Sequence, residues 1–337
     1  MTRSFAAGTV ALALAIGACS AGGDTAGREA PVPGTSAPAS TSTTTLVPGC
    51  GAPGAAPGVY DRTMTSGGVE RRFQLTVPEG YDGTRPLPVV FALHGLTVNY
   101  AIVPTVSGFA DMAGRYEFVT VAPSGRLDGG TPFWHAAPTD DNYDVAFVAD
   151  LLDLLARELC IDPARVFSTG QSNGGQMSSV LACRLPERIT AVARVAGVEF
   201  APECDGEPVP VMAFHGTDDT IVTYEGGGLN AATIAELHHW KGAAPTPVPA
   251  HHGVDAAMRN WAEHNGCDPE PVEQAVSPEV TRRSWRGCHA ETVLYVVEGG
   301  GHTWPGRVVP GFETTFGHVT TDIDATELLF EFFLGVA

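Results

Sequence analysis

Short apolar runs, each bounded by turn residues, recur along this chain. The first run, 69–77, alternates polar and apolar residues, which is typical of a half-exposed strand near a sheet edge. The later runs are apolar throughout, as expected of interior strands in a parallel sheet. They cover residues 88–93, 118–122, 165–169, 191–197, 209–214 and 292–297.

Segments with helical spacing lie between these runs. One of them places its apolar residues on a single face, at Val145, Val148, Leu151, Leu152 and Leu155. Residues 321–334 have a similar pattern, and we expect Asp144 to cap the helix that follows it. Strands that alternate with helices predict an α/β fold, a mostly parallel doubly wound sheet with helices on both faces. The site is then expected at the carboxyl ends of the strands.

The first 49 residues differ in composition from the rest. Arg3 and the apolar run 5–16 are typical of a signal peptide over 1–18, since the run is too short to span a bilayer. Ile-Gly-Ala-Cys ending at Cys19 resembles a bacterial lipobox, whose cysteine is acylated. Residues 19–49 are mostly small or polar, or proline, and predict a disordered tether before one catalytic domain over 50–337.

These features predict an exported protein that a lipid at Cys19 anchors to the outer face of the membrane. An ordinary signal peptide, which would release the protein, is the alternative. The net charge of −19, from 38 acidic and 19 basic residues, repels nucleic acid and anionic membrane surfaces. We therefore expect no nucleic-acid partner, no membrane contact except through Cys19, and a monomer that acts on neutral or weakly charged molecules.

Cysteine usage agrees with export. The chain has seven cysteines, and six remain when Cys19 is set aside, which suits three disulfides in an oxidising compartment. The first pair we expect is Cys267 with Cys288, because they flank one short irregular stretch before an apolar strand. The other pairings stay open.

A candidate nucleophile follows the run 165–169. Gly-Gln-Ser-Asn-Gly-Gly at 170–175 leads into a helix-compatible segment, which is the strand, turn and helix context of a nucleophile elbow. A side chain at Gly170 or Gly174 would crowd the adjoining strand and helix. The pattern predicts Ser172 as the nucleophile.

A serine nucleophile needs a base and a carboxylate, which follow it in this order: serine, acid, histidine. His-Gly-Thr-Asp-Asp at 215–219 follows a buried run, and Asp219 is the first candidate and Asp218 the second. Among the later histidines, His302 follows the last apolar run within a glycine-rich segment that gives its backbone freedom. Residues 225–253 interrupt the strand and helix rhythm. Their adjacent histidines point in different directions and no carboxylate cluster accompanies them, so we expect no metal site, and a serine nucleophile needs no cofactor.

Other residues are assigned by their expected loops. The amides of Leu96 and Asn173 are the candidate oxyanion donors, and His94 is expected to be structural. Trp134 and Trp304 fall in expected site loops, where an indole suits an aromatic acyl group or a polyester segment. Core packing is the alternative for both tryptophans.

Several segments in order resemble secreted esterases that group with polyhydroxybutyrate depolymerases and bacterial feruloyl esterases, and similar lipoprotein esterases. These segments are 93–95, 160–162, 169–175, 215–219, 265–267 and 300–306, within a resemblance that runs from about Cys50 to the C-terminus. The resemblance implies an α/β-hydrolase fold and a triad of Ser172, Asp219 and His302. It favours Asp219 over Asp218 through the His-Gly-Thr-x-Asp pattern. Leu-Thr-Val at 96–98 departs from the small residues that related proteins often have there.

The expected activity is hydrolysis of small or polymeric carboxylic esters through an acyl-enzyme. Two alternatives use the same fold. One is a cell-envelope acyltransferase, in which a sugar replaces water as the acceptor, and the other is a tethered binding protein with an inactive site.

Overall fold

The computed structural model describes residues 49–51, 54–96, 98–128, 131–201, 203–227 and 252–336. The predicted signal peptide, Cys19, nearly all of the tether 19–49 and most of the segment 225–253 lie outside these ranges. Within the described ranges, no helix is long and apolar enough to cross a membrane. The same ranges contain no group of three or more His, Cys, Asp or Glu side chains arranged to hold a metal ion.

A ten-stranded mixed sheet forms the centre of the fold. The strands are β1 (Gly58–Ser66), β2 (Val69–Val77), β3 (Leu87–Leu93), β4 (Val119–Pro123), β5 (Arg126–Asp128), β6 (Thr131–Phe133), β7 (Ile161–Gln171), β8 (Ala191–Val195), β9 (Val211–Gly216), β10 (Val272–Ala275), β11 (Val280–Ser284) and β12 (Thr292–Val297). Ten of these strands form the central sheet in the order β1-β2-β4-β3-β7-β8-β9-β12-β11-β10, and β5 and β6 form a separate two-stranded sheet. The six strands from β4 to β12 in this order are parallel, and the two outer strands at each end join antiparallel.

Helices cover both faces of the sheet. They are α1 (Val103–Val106), α2 (Phe109–Tyr116), α3 (Tyr143–Glu158), α4 (Asn173–Arg184), α5 (Val254–His264), α6 (Glu313–Phe316) and α7 (Ala325–Gly335). Alternate residues of β3 enter two separate cores, with Phe91 packing on the side of α3, α4 and α5 and Val90 on the side of α2 and α7. The predicted doubly wound α/β architecture is confirmed.

The outer strands differ from the sequence prediction. Residues 69–77 form a strand as expected, but β1 pairs outside it, and β10 and β11 extend the opposite end of the sheet. All four residues of β10 are exposed, so this strand carries no apolar run that a sequence pattern can detect. The last helix begins only after Asp324, whose carboxylate accepts hydrogen bonds from the amides of Thr326 and Glu327.

The prediction that Asp144 caps α3 is wrong. Asn142 is the capping residue, because its side-chain oxygen accepts hydrogen bonds from the amides of Asp144 and Val145. Asp144 is the second residue of α3, and its buried carboxylate pairs with Arg71 and accepts a hydrogen bond from the amide of His135.

Three disulfides join Cys50 to Cys160, Cys183 to Cys204 and Cys267 to Cys288. Both the expected number and the expected pair, Cys267–Cys288, are confirmed. The disulfide between Cys183 and Cys204 ties the end of α4 to the loop that follows β8.

The strand order creates a crevice at one edge of the sheet. The chain leaves β3 toward β4 on one side. β7 lies on the other side of β3, and the chain leaves it toward β8, away from β3. The loops that leave the carboxyl ends of β3 and β7 therefore diverge, which is the point where doubly wound sheets bind ligands. Ser172 follows β7 directly at this point.

Candidate active site

Ser172 occupies a strained turn between β7 and α4. Its φ is 56° and its ψ is −125°, a conformation that is costly for a residue with a side chain. The Ser172 amide donates to the Val195 carbonyl at 2.9 Å, and its carbonyl accepts from the Gln176 amide at 3.0 Å. These bonds hold the turn that presents the hydroxyl at the end of the sheet.

Three glycines allow the close approach of the elements around this turn. A Cβ atom on Gly170 would lie 2.5 Å from the carbonyl carbon of Gly174, and one on Gly174 would collide with the Leu93 carbonyl. A Cβ on Gly197, in the loop after β8, would collide with the carbonyl of Ser172. The first two glycines follow from the sequence motif, whereas Gly197 is recognised only from the structure.

Asp219 and His302 meet although 83 positions separate them in the chain. The Nδ1 atom of His302 lies 2.7 Å from Oδ2 of Asp219, because β9 and β12, which precede the two residues, are neighbours in the sheet. The amides of Ile221 and Val222 donate to the other oxygen of Asp219. The side chain of Asp219 is buried, whereas Asp218 is exposed.

The surroundings of Asp219 favour its ionised form. Burial alone would raise the pKa of this carboxyl, but the charge of His302 and hydrogen bonds from His215 and His302 outweigh it and hold the pKa well below its usual range. The carboxyl therefore carries a negative charge throughout the neutral range.

His215 is a second histidine beside Asp219 that sequence reasoning missed. Its Nε2 atom lies 2.8 Å from the Val222 carbonyl and 3.3 Å from Oδ2 of Asp219, so Nε2 carries a hydrogen. Its Nδ1 atom is buried and has no hydrogen-bond partner among the described residues. The two contacts of Nε2 therefore fix the orientation of the ring beside Asp219.

Hydrogen bonds hold the backbone of His302 in place. Its amide donates to the Phe316 carbonyl at 2.6 Å, and a Cβ on Gly301 would collide with that same carbonyl. Gly301 allows this close backbone contact, and Gly299, with a φ of 70°, adopts a conformation that glycine permits. The side chain of Gln171 also donates to the His302 carbonyl at 3.1 Å and ties this loop to the turn at Ser172.

The two candidate oxyanion donors line the same cleft as Ser172 and His302. A Cβ on Gly95 would lie 3.5 Å from Cβ of Ser172, so the loop that carries Leu96 passes beside the serine. Asn173 is the first residue of α4, where backbone N–H groups lack intrahelical acceptors. The side-chain amide of Asn173 is already hydrogen-bonded to the backbone of Trp134. The backbone N–H of Asn173 is therefore the group available to a ligand.

Trp134 and Trp304 border the cleft but are almost completely buried, at 1% and 6% exposure. The indole N–H of Trp134 donates to the His94 carbonyl, and that of Trp304 donates to Oγ1 of Thr326. Core packing therefore accounts for most of each side chain. His94 itself accepts a hydrogen bond from the Gly125 amide, and burial lowers its pKa to about 4, which suits a structural role.

The cleft has a volume of about 1080 Å³ and walls of unlike chemistry. Around Ile102 and Phe312 the wall is apolar. Along α4 and the loop after β8 it carries Gln176, Glu199 and Glu203. Sequence reasoning assigned none of these residues, because no motif marks them.

Glu199 has an unusual ionisation. Burial raises the pKa of its carboxyl from 4.5 to about 7, and a hydrogen bond from Gln176 opposes part of this rise. Between these two values the folded protein retains a proton that the unfolded chain has lost. The stabilisation that this retained proton gives the folded protein is therefore complete below pH 4.5 and is lost as the pH rises through 7.

This raised pKa predicts that Glu199→Gln gains stability relative to the wild type as the pH rises. One pKa unit corresponds to about 1.4 kcal/mol, so from pH 5 to pH 8 the wild-type protein should lose about 2 to 3 kcal/mol more of its unfolding free energy than the variant does. Chemical denaturation at the two pH values measures the difference. The exposed Glu187→Gln should lose as much as the wild type, and equal losses in Glu199→Gln and the wild type would contradict the raised pKa.

Comparisons with known proteins agree with this architecture. Residues 65–202 match the esterase family described as "Putative esterase". Feruloyl esterase C of Emericella nidulans is 27% identical over 267 residues, which cover 76% of this chain and 83% of that protein. Feruloyl esterase D of Neurospora crassa is 29% identical over 269 residues, which cover 75% and 81%. An acetyl xylan esterase structure from Aspergillus awamori has a TM-score of 0.56 at 18% identity and covers 83% of this chain and 100% of its own, a likeness of fold.

Proposed function

We propose that this chain, a carboxylic ester hydrolase that belongs with the feruloyl-esterase-like α/β hydrolases, uses Ser172, His302 and Asp219 as its catalytic triad. The observation that carries the proposal is the 2.7 Å contact between His302 Nδ1 and Asp219 Oδ2 beside the cleft that Ser172 lines. An ionised Asp219 holds the hydrogen of His302 on Nδ1 and leaves Nε2 able to accept a proton.

In the first half of the reaction, the Ser172 hydroxyl oxygen attacks the ester carbonyl carbon, and its proton passes to Nε2 of His302. The amides of Leu96 and Asn173 donate to the oxyanion that forms. The ester C–O bond then breaks, and the proton on His302 passes to the leaving alkoxide. The alcohol departs, and the acyl group remains on Ser172.

In the second half, His302 takes a proton from water, and the resulting hydroxide equivalent attacks the acyl-enzyme carbonyl. The bond to Ser172 breaks, and the proton on His302 returns to the serine oxygen, which releases the carboxylic acid. Asp219 stays ionised and stabilises the imidazolium in both halves.

The proposed substrates are esters with an apolar or aromatic part, such as feruloyl esters or polyhydroxybutyrate. Two of the relatives are named feruloyl esterases. The apolar wall around Ile102 and Phe312, with Trp134 and Trp304 at the border of the cleft, suits such groups. Replacing the triad residues one at a time tests the mechanism, with kcat for p-nitrophenyl butyrate as the measurement.

We also propose that the chain is secreted and held at the outer membrane face by a lipid on Cys19. Three disulfides support an oxidising compartment outside the cytoplasm. We expect Cys19→Ala to move the protein from the membrane fraction to the medium when cells are fractionated. An unchanged membrane fraction would contradict the anchor.

A further inference from the structure

We infer that Glu199 and Gln176 form a hydroxyl-binding subsite of the cleft, which selects esters that carry a hydroxyl group about one helical turn from the scissile carbonyl. The inference rests on the proposed function of Ser172 as the nucleophile, since that residue fixes the position of the carbonyl. It adds a specificity element that lies outside the triad and the oxyanion donors.

The backbone of Glu199 is held by three side-chain donors. Its carbonyl accepts from Nε1 of Trp261 at 2.7 Å, from Nη1 of Arg194 at 2.9 Å and from Oγ of Ser179 at 3.0 Å. All three donor residues are buried, with exposures of 1% or less. Three buried donors on one carbonyl oxygen leave the residue little freedom, so the Glu199 side chain starts from a fixed point at the cleft wall.

Arg194, one of the three donors to the Glu199 carbonyl, is a buried cation. Its guanidinium is fully buried, and among the described residues no carboxylate lies within ion-pair distance of it. It contacts the ring of Trp261, the sulfur of Met258 and the hydroxyl of Ser179 in addition to the Glu199 carbonyl. Burial of a cation without a counter-ion is costly. The fold retains Arg194 despite this cost, and the hydrogen bond from its guanidinium holds the loop that carries Glu199 in place.

The Glu199 carboxyl has hydrogen-bonding capacity left for a ligand. Within the described part of the chain its one side-chain donor is Nε2 of Gln176, at a long 3.5 Å. Both side chains line the cleft together with Ser172. Gln176 is four residues after Ser172 and its amide bonds the serine carbonyl, so the subsite lies roughly 6 Å along α4 from the nucleophile.

A hydroxyl group matches this pair of side chains. Its hydrogen can be donated to a Glu199 oxygen, and its oxygen can accept from the Gln176 amide. A charge-assisted bond to the carboxylate is stronger than a neutral one. A site built to bind a hydroxyl also rejects the analogue without it, because the Glu199 carboxyl and the Gln176 amide then lose that hydrogen-bond partner. The hydroxyl can belong to the acyl group, as in a phenol, or to the alcohol, as in a sugar.

The ionisation of Glu199 adds a pH signature. Its pKa of about 7 means that the carboxyl gains its charge across the neutral range. Two titratable or charged groups lie behind the subsite, Arg194 under the Glu199 carbonyl and His264 beside Trp261. The others line the cleft and are His135, Glu203, His252, His302 and Arg307. Preference for the hydroxylated ester should therefore rise from pH 6 to pH 8 and become flat in Glu199→Gln.

The test compares kcat/KM for pairs of esters that differ by one hydroxyl-bearing group. Methyl 4-hydroxycinnamate against methyl cinnamate probes the acyl side, and trans-2-hydroxycyclohexyl acetate against cyclohexyl acetate probes the alcohol side. In one of the two pairs, Glu199→Leu should lower the preference for the hydroxylated ester about tenfold relative to the wild type. The exposed Glu187→Leu is the matched control and should keep the wild-type ratio.

The outcomes separate this inference from the proposed triad. Preferences that stay within twofold of the wild type in both pairs for Glu199→Leu, or a pH dependence that persists in Glu199→Gln, would overturn the subsite. Hydrolysis of p-nitrophenyl acetate, which has no hydroxyl, and its loss in Ser172→Ala report the triad independently. A protein that passes the p-nitrophenyl acetate test and shows no Glu199 effect refutes the subsite alone.

Discussion

Ser172→Ala is expected to lower kcat for p-nitrophenyl butyrate by about 10⁴- to 10⁶-fold. Without the Ser172 oxygen no acyl-enzyme forms, and His302 has no hydroxyl to activate. The remaining rate comes only from water attack on an ester held near the oxyanion donors. Steady-state kinetics with the purified full chain measures the loss.

The stability of this variant should change little, because alanine has the same backbone strain at φ 56° as serine. A fluorophosphonate probe should label the wild-type protein at Ser172 and leave Ser172→Ala unlabelled. Ser284→Ala, in β11 between β12 and the edge strand β10, is the matched control and should keep the wild-type kcat. Retention of more than a tenth of the activity in folded Ser172→Ala would exclude this serine as the nucleophile.

Asp219→Asn is expected to lower kcat by about 10⁴-fold while the fold is retained. The carboxylate accepts the hydrogen on Nδ1 of His302 at 2.7 Å, whereas an asparagine amide can donate to Nδ1 and favour the opposite tautomer. In that tautomer Nε2 carries the hydrogen and cannot accept the serine proton. The pKa of Asp219 is held so low that protonation of this residue does not limit activity near neutral pH.

Asp218→Asn provides the control at the neighbouring position. Asp218 is exposed and lies outside the contact between Asp219 and His302, so this variant should stay within about twofold of the wild-type kcat. Circular dichroism and thermal melting establish that both variants are folded. A large loss in Asp218→Asn together with an active Asp219→Asn would transfer the role of the acid to Asp218.

The location of the buried strands could be predicted because local sequence encodes it. The run 292–297 matches β12 at both ends. The run 88–93 starts one residue inside β3 and ends with it, and 209–214 is offset from β9 by two residues at each boundary. Continuous apolar runs between turn residues arise because both faces of such a strand are covered. The exposed β10 has no such coverage and therefore no such pattern.

Chemical features with a local cause could also be predicted. The Gly-x-Ser-x-Gly turn needs its glycines because β3, β7 and α4 approach closely there. Asp219 was the first candidate and Asp218 the second after the buried run, and the resemblance then favoured Asp219. The structure adds a physical difference between them, since one carboxyl is buried against His302 and the other is exposed.

Side-chain direction and burial were beyond local patterns. An acidic residue near a helix start looks like a cap, yet Asn142 caps α3 while Asp144 turns inward to Arg71. A tryptophan in a loop looks available to substrate, yet both indole N–H groups bond within the protein. These outcomes depend on neighbours that are distant in the sequence.

By itself the sequence determined the order of the six buried parallel strands, the doubly wound sheet and the candidate nucleophile, because periodicity and turn chemistry act over a few residues. Only the tertiary structure decided what surrounds Ser172. Phe312, Gln176 and Glu199 line one cleft from three separate elements, and buried Arg194 and Trp261 fix the position of Glu199. Such contacts form when distant segments pack together, so no local pattern records them.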